Sequence, residues 1–199
     1  MSQQPYEIIA APYTLWLAAV GTAFPDPGEA PAAGFTKIGN SGDLRINEDG
    51  VTISLPQTIE LYRPVGSPRP IKAFRTEEDL MISLVLNDMR QEMMKYLLNG
   101  NALTDTAAAS GVAGHRKLAI AKGGDVTQYA ALLRGLSAYD DAMNVDWRIP
   151  RVILSGEPEI VGKKGEPAGL LFELQAIEDP DYAGGVFGEI LMVDAVALP

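Results

Sequence analysis

Leu80, Ile82, Leu84 and Leu86 alternate with Met81, Ser83 and Val85, a period-two pattern that predicts a strand burying one face. Asp88-Met89-Arg90-Gln91 follows directly, with a carboxylate and an amide at capping-box spacing, so each could satisfy an orphan donor at a helix start. The predicted helix runs to about Leu98 and stops at Asn99-Gly100. Its stripe of Met89, Met93, Tyr96 and Leu97 recurs at helical spacing, widened by Met94 and Leu98, with Arg90, Glu92 and Lys95 on a more polar side. That stripe reads as core packing ahead of a partner groove. Upstream, Leu44-Arg45-Ile46 runs into Asn47-Glu48-Asp49-Gly50, and Val51-Thr52-Ile53-Ser54-Leu55 leaves it. An Asp-Gly pair between alternating arms predicts a tight hairpin, because both residues tolerate positive φ. Val51, Ile53, Leu55, Ile59 and Leu61 share one parity, so the second arm is expected to keep its phase past an edge irregularity at Pro56-Gln57.

The remaining pattern is mainly β. A short apolar strand is expected around Leu15 to Val20, an extended loop over Gly21 to Gly34, and a strand start at Phe35 to Gly39. Arg63 to Pro70 contains Pro64, Gly66, Pro68 and Pro70, which makes it a stiff, exposed loop that cannot pair as a central strand. Strand character resumes at Ile71 to Phe74. Asn101 to Gly114, rich in Ala, Ser, Thr and Gly, predicts a mobile loop. Lys117 to Ala121 and Gln128 to Gly135 read as strands joined by a turn at Lys122 to Asp125. Trp147 to Leu154 and Leu170 to Ile177 read as a further pair, separated by Gly162-Lys163-Lys164-Gly165. Trp16 and Trp147 are expected in the sheet core or at its edge. The expected fold is a single domain over 1–199, a β-sandwich or barrel with one flanking α-helix, an N-terminal arm (1–13) and an apolar C-terminal arm (186–199).

Composition narrows function more than fold. The chain has 199 residues, 47% apolar, with 20 Gly and 14 Pro, enough for one domain with a core and many turns. The absence of Cys removes disulfides and thiolate metal sites, and is compatible with assembly in a reducing cytoplasm. Met1 to Tyr13 has no basic n-region, and Leu15 to Val20 is too short to span a bilayer, so neither secretion nor membrane insertion is expected. A net charge of −10 opposes the cationic footprint that a nucleic-acid binder needs.

No catalytic constellation emerges. His115, the single histidine, sits at a loop end and cannot by itself make a triad or a histidine metal cluster. Leu154-Ser155-Gly156 has Ile153 where a nucleophile elbow needs Gly. Gly156 to Lys164 has the outline of a phosphate loop, but with five residues between its glycines and Lys164 in place of Ser or Thr. Asn47, Asp49 and Gly50 match the middle of a calcium loop whose anchors would fall on Arg45 and Pro56. Glu178, Asp179 and Asp181 read as a solvated turn around Pro180, and Lys163-Lys164 as an exposed turn. No enzyme activity, cofactor or metal is expected.

Taken together, several runs carry a family resemblance: Gly21-Thr22-Ala23-Phe24-Pro25, Gly34 to Gly39, Ser41 to Leu44, Glu48 to Thr52, Lys72 to Leu80, and Leu98 to Asn101. Gln128-Tyr129-Ala130, Leu133-Arg134-Gly135, Ile149-Pro150-Arg151 and Gly165 through Pro180 continue it. In order and spacing these resemble the major tail (tail tube) proteins of siphophages, nearest to those of actinobacterial phages and prophages. The likeness covers roughly residues 13–182; no single motif is diagnostic, and neither arm is covered.

The resemblance implies β-sandwich subunits that form hexameric rings, stacked into a non-contractile tube in the virion tail after assembly in the host cytoplasm. The tube would hold the tape measure protein and later pass DNA without specific binding, with tail terminator and baseplate (distal tail) proteins at its ends. It maps the family's inter-ring loop to residues 63–71, with Arg63, Pro64, Val65, Arg69, Pro70 and Ile71 as contact candidates. The arms would add inter-ring contacts, and an acidic lumen would let DNA slide. Other readings are a tail terminator, baseplate ring or secretion-tube subunit of the same fold lineage, or a monomeric β-sandwich binding module.

Overall fold

Antiparallel strand pairing organises the fold. The structure, a computed structural model, describes residues 9–26, 29–31, 33–39, 46–137, 144–162, 164–165, 167–182 and 186–192. In chain order the elements are β1 (Ile9–Ala19), β2 (Thr36–Lys37), β3 (Ile46–Ser54), β4 (Gln57–Tyr62), β5 (Lys72–Glu78), β6 (Met81–Leu86) and α1 (Gln91–Leu97). Then follow β7 (Leu103–Thr106), β8 (His115–Leu118), β9 (Gln128–Ser137), β10 (Asn144–Leu154), β11 (Ile160–Val161), β12 (Gly169–Ala176) and β13 (Glu189–Met192). Nine strands form one sheet in the order β2-β1-β9-β10-β12-β6-β3, with β11 beside β12 and β13 beside β10. The sheet curls until β3 lies within 8 Å of β1. The result is a mainly β, sandwich-like fold with one helix among the described residues. Two ribbons, β4–β5 and β7–β8, stand outside the sheet.

The alternation read at Leu80 to Leu86 is what the sheet uses. On β6, Ile82, Leu84 and Leu86 are buried, and on β12 so are Leu170, Phe172, Leu174 and Ala176. The two strands pair Leu170 with Leu86, Phe172 with Leu84 and Leu174 with Ile82, so each cross-strand pair faces the core together. Burying each of these large side chains contributes roughly 1.5–3 kcal/mol. Helix α1 adds Met93, Tyr96 and Leu97 to the same cluster, as its stripe predicts. The backbone N–H of Gly39 donates to Met93 Sδ at 3.3 Å. Asn99 (φ 60) and Gly100 (φ 75) then reverse the chain, and the Gly100 N–H donates to the Lys95 carbonyl at 2.8 Å.

On β9, Ala130 to Leu133 are all buried, so both faces of this strand are covered. One face meets the core. Over the other lie residues 22–26, 29–31 and 33–35, a strap read from sequence as an extended loop up to Gly34 and a strand start at Phe35. Arg134 Nη1 donates to the Glu29 carbonyl at 2.7 Å, and Arg148 Nη2 to the Pro25 carbonyl at 2.6 Å. Phe24 packs against Phe35 and Tyr182, with ring centroids 5.8 and 6.5 Å apart. Beneath the strap, Arg134 lies directly across from Asp146 in the β9–β10 register and forms a two-pronged ion pair at 2.6 and 2.7 Å.

Several sequence expectations are corrected. Asn47 to Gly50 is not a hairpin turn. β3 runs through it, and these residues bulge between Ile46, opposite Leu86, and Val51, opposite Leu84. Gly50 at φ 76 and an Asn47 Nδ2 to Asp49 Oδ2 bond of 2.8 Å shape the excursion. Leu44 and Arg45 lie outside the described residues. The shared parity from Val51 to Leu61 does not mark one strand, because the chain leaves the sheet at Pro56, whose carbonyl accepts from Asp79 N–H at 3.0 Å. No capping box forms: Arg90 is the N-cap without a side-chain cap bond, and Asp88 is held by the Arg90 guanidinium instead. Asn101 to Gly114 is no loop throughout; β7 lies within it and pairs with β8, which begins just beyond it at His115. β8 and β9 belong to different sheets and are not a hairpin. Residues 9–13 of the expected N-terminal arm belong to β1, and Glu189–Met192 of the expected C-terminal arm pair with β10. The remainder of both arms, 1–8 and 193–199, lies outside the described residues.

Candidate assembly surface

The ribbon β4–β5 has every residue exposed on both strands. Half of the large apolar side chains exposed among the described residues lie on it or at its root, namely Leu55, Ile59, Leu61, Tyr62, Val65, Ile71 and Phe74. An isolated two-stranded ribbon is marginal in water, so polar cross-links must hold its shape. Thr58 donates to Glu77 at 2.8 Å, Arg75 Nε to Gln57 at 3.1 Å, and Arg75 Nη1 to Glu78 at 3.0 Å. Lys72 sits 5.0 Å from the Phe74 ring centroid.

The six candidate residues Arg63, Pro64, Val65, Arg69, Pro70 and Ile71 all fall at the tip of this ribbon. Ile71 N–H closes the tip onto the Tyr62 carbonyl at 3.0 Å, and Ser67 N–H turns back to the Pro64 carbonyl at 3.1 Å. Ser67 Oγ donates to the Arg69 carbonyl at 3.0 Å. Gly66, at φ 93, permits the turn. Three prolines and these bonds hold Val65 out in solvent at 108% relative exposure. The tip is a preshaped apolar knob flanked by cations.

At the root of the ribbon lies an apolar groove of about 290 Å³, bounded by Leu55, Trp147, Ile149, Val186 and Ile190. β13 forms one wall. Gly188 lets it approach closely, since a Cβ there would meet the Arg148 carbonyl oxygen at 2.2 Å. Arg148 also binds Glu189 at 3.2 Å. Burial, and then the nearby Glu189 charge, raise the Tyr182 phenol above its usual range.

The second ribbon, β7–β8, is tied to α1. Arg116 reaches both Asp105 and Glu92, and Gln91 Nε2 donates to the Arg116 carbonyl at 3.2 Å. The Asp105 carboxyl is held below its usual range by its bonds to Arg116, and Glu92 chiefly by its own backbone N–H at the helix start, then by Arg116. Asn99 secures the segment that follows, donating to the Lys122 and Asp125 carbonyls and accepting from Thr127 N–H.

The reactive groups weighed from sequence occupy structural or solvent positions. His115 is exposed at the start of β8. Asp179 accepts from Arg151 at 3.0 Å and from Asp181 N–H at 3.2 Å, which makes this acidic turn an ion-paired corner. Among the described residues no three His, Asp or Glu side chains gather to hold a metal, and no helix is long and apolar enough to cross a membrane. Sequence reading missed the Arg134–Asp146 pair and the strap that it underlies. The available signal was a lone charge in each of two apolar runs, Leu132-Leu133-Arg134 and Val145-Asp146-Trp147. No protein-family model matches the chain, and no curated protein matches it.

Proposed function

We propose that this chain is the structural subunit of a non-contractile phage tail tube, a virion protein that assembles in the host cytoplasm into hexameric rings stacked as a hollow tube. The observation carrying this reading is the β4–β5 ribbon, whose apolar side chains stand in water on a preshaped arm. A monomer gains nothing from such an arm, whereas a subunit that docks it buries apolar surface with little ordering cost. The order of motifs over roughly residues 13–182 supports the same reading. Net charge of −10 suits a conduit that DNA and the tape measure protein traverse without being gripped. Tail terminator and distal tail proteins would close the ends.

The test is negative-stain electron microscopy over a concentration series. Hollow rings or tubes of uniform width, with a channel that admits duplex DNA, are expected. Single-chain particles at every concentration would refute self-assembly and favour a monomeric binding module.

A further inference from the structure

We propose that the groove beside β13 receives the ribbon tip of a second copy of this chain, with Val65 as the inserted side chain. The inference rests on the self-assembly reading above and supplies the receptor that the arm lacks. At about 290 Å³ the groove falls just below the small end of ligand pockets, roughly 300 Å³, so it suits a few side chains. Leu55, Trp147, Ile149, Val186 and Ile190 give it an apolar wall suited to an aliphatic side chain such as Val65.

The chain cannot fill this groove with its own tip. Leu55 and Glu78, which line the groove, stand at the root of the ribbon. Six residues of β4, at about 3.4 Å each, place the tip roughly 20 Å away. Knob and hole therefore meet only between copies, as a head-to-tail contact that closes into a ring or continues as a filament.

Charge favours the same seating. From residue 61 to 72 the chain carries Arg63, Arg69 and Lys72 and no acid, a cationic segment on a molecule of net charge −10. The groove is rimmed by Glu78 and Glu189. Each already holds an arginine of its own chain, yet their side chains remain 55% and 45% exposed and can accept a second donor.

The absence of Cys makes the contact directly testable. A chain carrying both Val65→Cys and Ile190→Cys, oxidised under assembling conditions, should give a ladder of covalent multimers. Val65→Cys alone should give no species beyond a dimer. Val65→Asp should raise the critical assembly concentration about tenfold or more, the loss expected for one buried aliphatic side chain. Its unfolding curve should match that of the wild type, because Val65 is fully exposed in the free chain. Wild-type-like assembly of Val65→Asp, with no ladder from the double-cysteine chain, would overturn the groove assignment and leave the tube reading standing. Wild-type protein that never assembles would overturn the tube reading and this inference with it.

Discussion

Replacing Asp146 by Ala should be among the most damaging single changes to this fold. Asp146 is 2% exposed and Arg134 10% exposed, and their two bonds are 2.6 and 2.7 Å long. Truncation strands a guanidinium under the strap with only the Glu29 carbonyl left to it. Breaking a buried pair from one side costs about 3–5 kcal/mol, a large share of a total stability of roughly 5–15 kcal/mol. With a urea slope near the top of the usual range, about 3 kcal/mol/M, the unfolding midpoint should fall by about 1–1.7 M. Arg134→Met with Asp146→Leu should recover most of the loss, since neither charge is then stranded. The shortfall should be about 1 kcal/mol for the Glu29 carbonyl left without its donor. Equilibrium urea unfolding followed by tryptophan fluorescence reads all three chains. A loss below about 1 kcal/mol for Asp146→Ala would show that water reaches the pair and that the strap does not seal it.

Other changes probe the remaining anchors. Asn99→Ala removes three side-chain hydrogen bonds and puts alanine at φ 60, so a loss of about 2–4 kcal/mol is expected in the same assay. Asn99→Gly, which keeps the backbone angle, should lose less. Acid should loosen the second ribbon: Glu92 and Asp105 have lowered folded pKa values, so their contribution is present above the usual carboxylate range, near pH 4, and disappears as pH falls through those lowered values. Hydrogen exchange corrected for intrinsic rates should show β7–β8 amides losing protection between pH 7 and pH 3 while β6 and β12 keep theirs; parallel loss in both would refute a local latch. Gly188→Ala should unseat β13, because its Cβ would collide with the Arg148 backbone. Exchange protection should fall at Glu189 to Met192 and persist in β9; unchanged protection in β13 would show that the strand can shift to admit the methyl group.

The parts legible in sequence are those whose partners are close in the chain or whose pattern has one period. Leu80 to Leu86 gave its strand because every second side chain meets the core, and Asn99-Gly100 gave the helix end because both residues take positive φ. The Asp49-Gly50 pair misled for a related reason. Its conformational freedom serves a bulge within one strand, and only the pairing of Ile46 with Leu86 and of Val51 with Leu84 tells a bulge from a hairpin. Ile59 and Leu61 continue the parity of Ile53, yet the chain leaves the sheet at Pro56 and the same apolar residues face water. Periodicity records which side chains share a face and says nothing about what covers it. The strap was hidden because its contacts join Arg134 to Glu29 and Arg148 to Pro25, over a hundred residues apart. Of the candidate assembly surface, the tip was legible from its prolines, whereas the groove required β10, β13 and the ribbon root to be placed together.

The tip of the first ribbon has a consequence for survival of the free chain. Exposed loop tips are where proteases nick, and basic side chains in water invite trypsin-like enzymes. Here Arg63 is followed by Pro64 and Arg69 by Pro70. A proline after the arginine has no N–H and a fixed φ, so the bond resists the extended docking that cleavage requires. The next basic residue, Lys72, is already paired with Tyr62 across the ribbon. The prolines that shape the arm thus also shield it from digestion while it stands in solvent.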